Sequence, residues 1–162
     1  SSTEKLISSL GKFLDIKMYI RYHALTSLIN NTDAFNNNFF LYRRSVNSPF
    51  ICIPWDFDQS FRRDTDIGLY GENAIINRMF QNDSTRNMYV SEIKELVNSI
   101  YTVQNLDSII DKNKEIIRDA YNIDPYLGAG RFNFESEIQE LKNFIANRRQ
   151  YFIDNIDSLN PN

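Results

Sequence analysis

Between residues 13 and 29 apolar side chains recur at Leu14, Met18, Leu25 and Ile29, the spacing of one helical stripe. Ile16, Tyr19, Ile20 and Tyr22 widen that stripe, which predicts a helix buried on more than one side. Residues 1 to 11 predict a short helix before it. From residue 72 onward the period near 3.6 returns in three runs: Ile75, Met79 and Phe80; Tyr89, Ile93, Leu96, Val97 and Ile100; then Leu106, Ile109, Ile110, Ile116, Ile117 and Tyr121. The last stretch is the clearest. Phe134, Ile138, Leu141, Ile145, Phe152, Ile156 and Leu159 predict one long amphipathic helix, with Asn133 as its N-cap and Pro161 beyond its end.

One stretch breaks the helical pattern. "FFLY" and "FICI" are β-prone runs separated by "RRSVNSP", whose Asn, Ser and Pro form turns, so residues 39 to 53 predict an antiparallel hairpin. Its flanks, "NNTDAFNNN" and "WDFDQSFRRDTD", are polar loops that the strand pairing would bring together. The loop "IDPYLGAGRF" holds Gly128 and Gly130 without the other residues of a phosphate-cradling motif. The fold class expected is mainly α (α+β): one domain over residues 1–162, a helical bundle with one small antiparallel β-hairpin.

Composition narrows the function classes. With 162 residues, 42% of them hydrophobic, the chain can bury a core of useful size. A net charge of −3 argues against broad affinity for nucleic acid or an anionic membrane, because both require clustered Lys and Arg. No apolar run approaches the roughly 20 residues that span a bilayer. The single cysteine, Cys52, excludes an internal disulfide framework and a cysteine-built zinc site.

Chemistry concentrates around the hairpin. Asp33 and Asn38 sit in the loop before the first strand, Asp56 follows the second strand, and Asp58 lies two residues further on. Separated by one tight loop, Asp33 and Asn38 can face the same few ångströms of space, while the hairpin returns the chain so that Asp56 closes the group from the other side. Phosphoryl transfer needs these parts: a carboxylate to orient and deprotonate a hydroxyl, with an Asn and an Asp to hold metal on the phosphates. Oxygen ligands of this kind suit Mg²⁺ or Mn²⁺ rather than zinc. Two other readings stay open. Asp56 and Asp58 could form the D-x-D metal site of a nucleotide-sugar glycosyltransferase, although the expected preceding βαβ unit is missing. Alternatively, the domain is a catalytically inactive scaffold or coat module whose acidic loops are turn residues, since Asn and Asp stabilise turns through their own backbone.

The remaining notable residues read as structural. His23, mid-helix, reads as a hydrogen-bonded core residue, and Cys52 as a buried reduced thiol. Trp55 reads as a packing anchor for the loop beside it. The pairs Arg43/Arg44 and Arg62/Arg63 read as solvated, and Arg148/Arg149 as cations favoured near a helix end.

At the hairpin the sequence carries a family resemblance. "TDAFNNNFFLY" followed by "IPWDFDQSF" resembles the CotH-type kinases, atypical protein kinases in which an N-x-Y-L-Y-like strand leads to a P-W-D-x-D signature. The ending "FESEIQELKNFIANRRQYF" looks like that family's closing helix. The resemblance implies a kinase-like fold of which this chain is the C-terminal lobe. It places Asp33 as the catalytic-loop Asp, Asn38 and Asp56 as the residues binding metal and nucleotide, and Asp58 as a further metal ligand. It also implies ATP with Mg²⁺ or Mn²⁺, a protein substrate phosphorylated on Ser or Thr, and an extracellular, cell-surface or spore-coat setting. Two departures stand out. "NNT" replaces the His-Arg that usually precedes the catalytic Asp, and neither a Gly-rich loop nor a strand Lys is present. The N-terminal lobe carrying those parts is expected upstream of Ser1, and the fragment alone is expected to bind nucleotide poorly and turn over little.

Overall fold

The computed structural model describes residues 2–127 and 133–160. In chain order these form helices α1 (Ser2–Leu10) and α2 (Ile16–Leu28), strands β1 (Phe39–Tyr42) and β2 (Ile51–Pro54), helices α3 (Ala74–Met79), α4 (Asp83–Ser99), α5 (Val103–Ile123) and α6 (Phe134–Asn155), and a closing 3₁₀ turn, Ile156–Leu159. The fold is therefore mainly α with one two-stranded antiparallel sheet, as the sequence pattern implies. Gly128, Gly130 and Pro161, read from sequence as loop and helix-stop residues, lie outside the described residues. Among the described residues no helix is long and apolar enough to cross a membrane.

Helix α2 is the central element. Asp15 caps its start by accepting from the Met18 amide at 2.9 Å. The face that α2 buries differs from the stripe read in sequence. Met18 is exposed and Leu25 only half-buried, while Tyr19, Ile20, Tyr22, His23, Ala24, Thr26, Ser27 and Leu28 are buried. Thr26 and Ser27 fit inside because each hydroxyl donates to the carbonyl four residues back, at 2.8 Å, and so enters the core with its hydrogen-bonding group satisfied.

Against this face pack Ile76 and Met79 of α3, Tyr89, Ile93 and Leu96 of α4, and Ile145 and Phe152 of α6. Asn133 caps α6 as expected, accepting from the Ser136 amide at 3.0 Å. Helix α5 forms where its period predicts, yet none of its residues is buried. It lies against α6, held by Lys142–Asp111 at 2.7 Å and Arg118–Glu135 at 2.7 Å, and leaves Ile109, Ile116 and Ile117 exposed.

The hairpin register pairs Phe39 with Pro54 and Tyr42 with Ile51. The second strand starts one residue later than "FICI" suggests. Phe50 instead bonds the segment before α2, its carbonyl accepting from Asp15 N at 2.8 Å, which ties the hairpin to the start of the central helix. Cys52 faces the core, and burial pushes its thiol up to about 11, in keeping with a reduced, inert side chain.

His23 is fully buried between Phe35 and Tyr89, its Nε2 donating to the Gly71 carbonyl at 2.7 Å. Its Nδ1 is buried with no partner among the described residues. Burial holds the imidazole neutral and pushes it down to about 4, against the opposing pull of the Gly71 carbonyl. Below its ordinary value the unfolded chain therefore binds a proton that the folded chain excludes, so stability falls as pH drops from about 6.5 to about 4. The expected loss over that window is about 3 kcal/mol. Urea titrations at several pH values should show it in the native chain and lack it in His23→Phe; parallel curves for the two proteins would contradict the assignment.

Candidate active site

The end of α2 sets up the first loop. Asn30 turns the chain in the left-handed region, φ 51°, which Asn tolerates better than most side chains. Its Nδ2 donates to the carbonyls of Arg62 at 2.6 Å and Thr65 at 2.8 Å. Asn31 is buried. Its Oδ1 accepts from the amides of Asp33 at 3.2 Å and Ala34 at 3.0 Å, an Asx turn, while its Nδ2 donates to Ser60 Oγ at 3.1 Å. The far side of the loop is pinned by Tyr22 Oη donating to the Ala34 carbonyl at 2.6 Å and by Asn73 Nδ2 donating to the Phe35 carbonyl at 2.7 Å. Asp33 is thus half-buried on a loop whose backbone is held from both ends.

Within this frame Asp33 accepts from Asn37 Nδ2 at 2.9 Å on one oxygen and from Asn38 Nδ2 at 2.6 Å on the other. Asn38 has φ 55°, directly before β1, and its Nδ2 also donates to the Asp56 carbonyl at 3.2 Å. With both amide hydrogens committed, Asn38 has only Oδ1 left to offer a ligand. The strand register explains the juxtaposition. Because Phe39 pairs with Pro54, residues 38 and 55 meet across the open end of the hairpin, where Trp55 N donates to the Asn38 carbonyl at 2.9 Å.

The structure therefore joins Asp33, Asn38 and Asp56, with Asn38 as the bridge and the main chain of Asp56 as the contact. Asp56 is exposed, and so is Asp58, whose carboxylate accepts from its neighbour Gln59 Nε2 at 2.9 Å. Among the described residues no three His, Cys, Asp or Glu side chains converge as a metal site. The non-glycine residues with positive φ among the described residues are Asn30, Asn38, Asp56 and Phe61, all in these two loops. Such conformations cost about 1–3 kcal/mol each and persist where the surroundings over-determine them.

Trp55, the Arg62/Arg63 pair and Arg148 sit differently from the sequence expectation. Trp55 is 60% exposed, against the ring of Phe40, so it does not anchor the loop; Phe57 does, packing against the core and lying 6.3 Å from the Tyr22 ring. Arg62 and Arg63 are ion-paired rather than simply solvated, Arg62 with Asp64 and Arg63 with Glu137 at 2.7 Å and with Glu140. Arg148 is 7% exposed, inside the fold. Sequence reasoning also passed over Asn30, Asn31 and Asn37 as supports of the site. The available signal was the asparagine run itself, whose side chains bond neighbouring backbone and accept left-handed conformations.

The chain belongs to the CotH family: the family model described as CotH kinase protein matches residues 1–152. It is also similar to the inner spore coat protein H of Bacillus subtilis (strain 168), with 28% identity over 160 residues that cover 94% of this chain and 44% of that relative. The chain thus spans less than half the length of the relative it matches.

Proposed function

We propose that this chain carries the hydroxyl-orienting and metal-holding loops of an ATP-dependent protein kinase of the CotH type, acting on Ser or Thr of a protein substrate. The observation that carries this reading is the Asn38 side chain, which joins the Asp33 carboxylate to the Asp56 main chain. Two amide donors fix the Asp33 carboxylate, and a carboxylate so oriented can accept the proton of an attacking hydroxyl. Membership of a family described as kinase supports the same assignment.

Asn38 Oδ1 and the Asp56 carboxylate are the groups that would hold Mg²⁺ or Mn²⁺, with Asp58 as a further ligand. This oxygen-only donor set fits such an ion, which keeps several waters and takes most of its remaining ligands from phosphates, so a closed protein cage is unnecessary. When bound, the ion supplies charge neutralisation on the phosphates. The parts that would enclose the adenine and phosphates, a Gly-rich loop and a strand Lys, are assigned to further chain of the parent protein. A spore-coat setting follows the name of the relative.

The test uses the parent protein. Asp56→Ala should weaken Mg²⁺ or Mn²⁺ binding in the presence of ATP by roughly tenfold or more in calorimetry. The thermal midpoint should fall by only about 2–4 °C, because the side chain is exposed and the remaining cost is that Ala accepts φ 51° less readily than Asp. Undiminished metal affinity would overturn the assignment. The scaffold reading has an observation of its own, the apolar outer face of the hairpin at Phe40, Tyr42 and Ile53. It gains if the parent neither binds metal with ATP nor transfers phosphate.

A further inference from the structure

The segment that follows Asp58 contains no helix or strand until α3, yet it is fastened to the core at many points. Phe61 N donates to the Ile29 carbonyl at 2.6 Å, Asn30 holds the carbonyls of Arg62 and Thr65, and Tyr89 Oη donates to the Leu69 carbonyl at 2.7 Å. The charged fastener is Arg148 of α6, itself buried. Its Nη1 donates to Asp66 Oδ1 at 3.0 Å, and its Nη2 donates both to the Gly68 carbonyl at 2.7 Å and to the Ser27 carbonyl at 2.9 Å. The guanidinium lies over the Phe152 ring, 4.8 Å from its centroid, and over Tyr151 at 5.5 Å.

This arrangement is asymmetric. The Arg148 side chain is 6% exposed, whereas its carboxylate partner Asp66 is 71% exposed. A cation inside a fold requires a partner charge, and here an acid on the exposed side supplies it only if the segment stays folded onto α6. One guanidinium also touches both halves of the candidate site's support. Ser27 lies in the last turn of α2, which leads into the Asp33 loop, and Asp66 and Gly68 lie on the segment that begins at the Asp56–Asp58 triplet.

We propose that Arg148, neutralised by Asp66, is a positioning residue that fixes the segment after Asp58 against the end of α2 and thereby holds Asp56 in register with Asn38 and Asp33. The proposal rests on the kinase reading only for its catalytic meaning.

The experiment uses the 162-residue chain with Asp66→Asn, a surface change that removes the partner charge without emptying the core. Amide exchange of residues 60–68 should quicken by about tenfold while that of Tyr89, Ile93 and Leu96 stays near the native rate, as expected for local rather than global opening. The Asn38 side-chain amide resonances, which report its bonds to Asp33 and to the Asp56 carbonyl, should shift. Asp66→Glu, which keeps the carboxylate, should restore both signals. Unchanged exchange at 60–68, or unchanged Asn38 resonances despite faster exchange, would overturn the proposal, and so would exchange that quickens equally in α4. None of these signals depends on metal or ATP. A parent protein that fails to bind metal would therefore count against the kinase reading while leaving this test decisive.

Discussion

Replacing Asp33 with alanine in the parent protein should lower phosphate transfer to a protein substrate by about a thousandfold, the contribution expected of a positioned general base. The loss should fall mainly on kcat, because Asp33 is assigned to the hydroxyl, with a smaller rise in KM for ATP through Asn38, whose amide Asp33 holds. Stability should change by no more than about 1 kcal/mol, since the two bonds that disappear join partly exposed polar groups that water can satisfy. Asp33→Asn sharpens the test. It preserves the size of the side chain but turns one acceptor into a donor facing the Asn37 or Asn38 amide, so transfer should again be lost. Quantitative radiolabel transfer under single-turnover conditions measures the effect, and a variant that transfers at the native rate would remove Asp33 from its assigned role.

The largest structural effect is expected at Gly71. A Cβ built on this buried glycine would lie 2.0 Å from the Phe35 ring, inside any tolerable contact. Phe35 cannot swing away freely, being 4% exposed and packed 4.8 Å from the His23 ring, and the Gly71 carbonyl itself receives the His23 hydrogen bond. Gly71→Ala should therefore destabilise the chain by about 3 kcal/mol through overpacking. The displaced ring sits beside Ala34, so the strain should also spread to the loop that carries Asp33. Combining the change with Phe35→Leu should recover part of the loss, because two substitutions that share one contact are not additive. Denaturant midpoints of the two single variants and the double variant measure this coupling; a native midpoint for Gly71→Ala alone would refute the contact.

Much of the framework is readable from side-chain spacing. The periodic runs that become α4 and α6, the β-prone pair that becomes the hairpin, and the Asn133 cap all depend on local chemistry, which a linear pattern records. The failures share a physical cause, which is that burial is decided by partners distant in sequence. Ser27 and Thr26 are inside because helix carbonyls satisfy them, whereas Met18 and Trp55 remain outside despite their apolar surface. Arg148 looks like any cation late in a helix, and only the folded segment from Asp66 to Gly68 gives it a place within the core. At the site, the spacing of Asp33, Asn38 and Asp56 foretells their proximity. It cannot foretell that the link to Asp56 runs through a backbone carbonyl, because that depends on the left-handed turns at Asn38 and Asp56 and on the strand register.

The reliance on asparagine amides as cross-links gives this region a chemical clock. Asn and Gln are among the side chains most prone to thermal damage. Slow hydrolysis at Asn38 would replace the group donating to Asp33 and to the Asp56 carbonyl with an anion, setting two negative oxygens face to face where a short bond had been. A stored or heated sample could thus lose its loop arrangement one amide at a time while its helices remain intact, so the age of a preparation belongs among the variables to control.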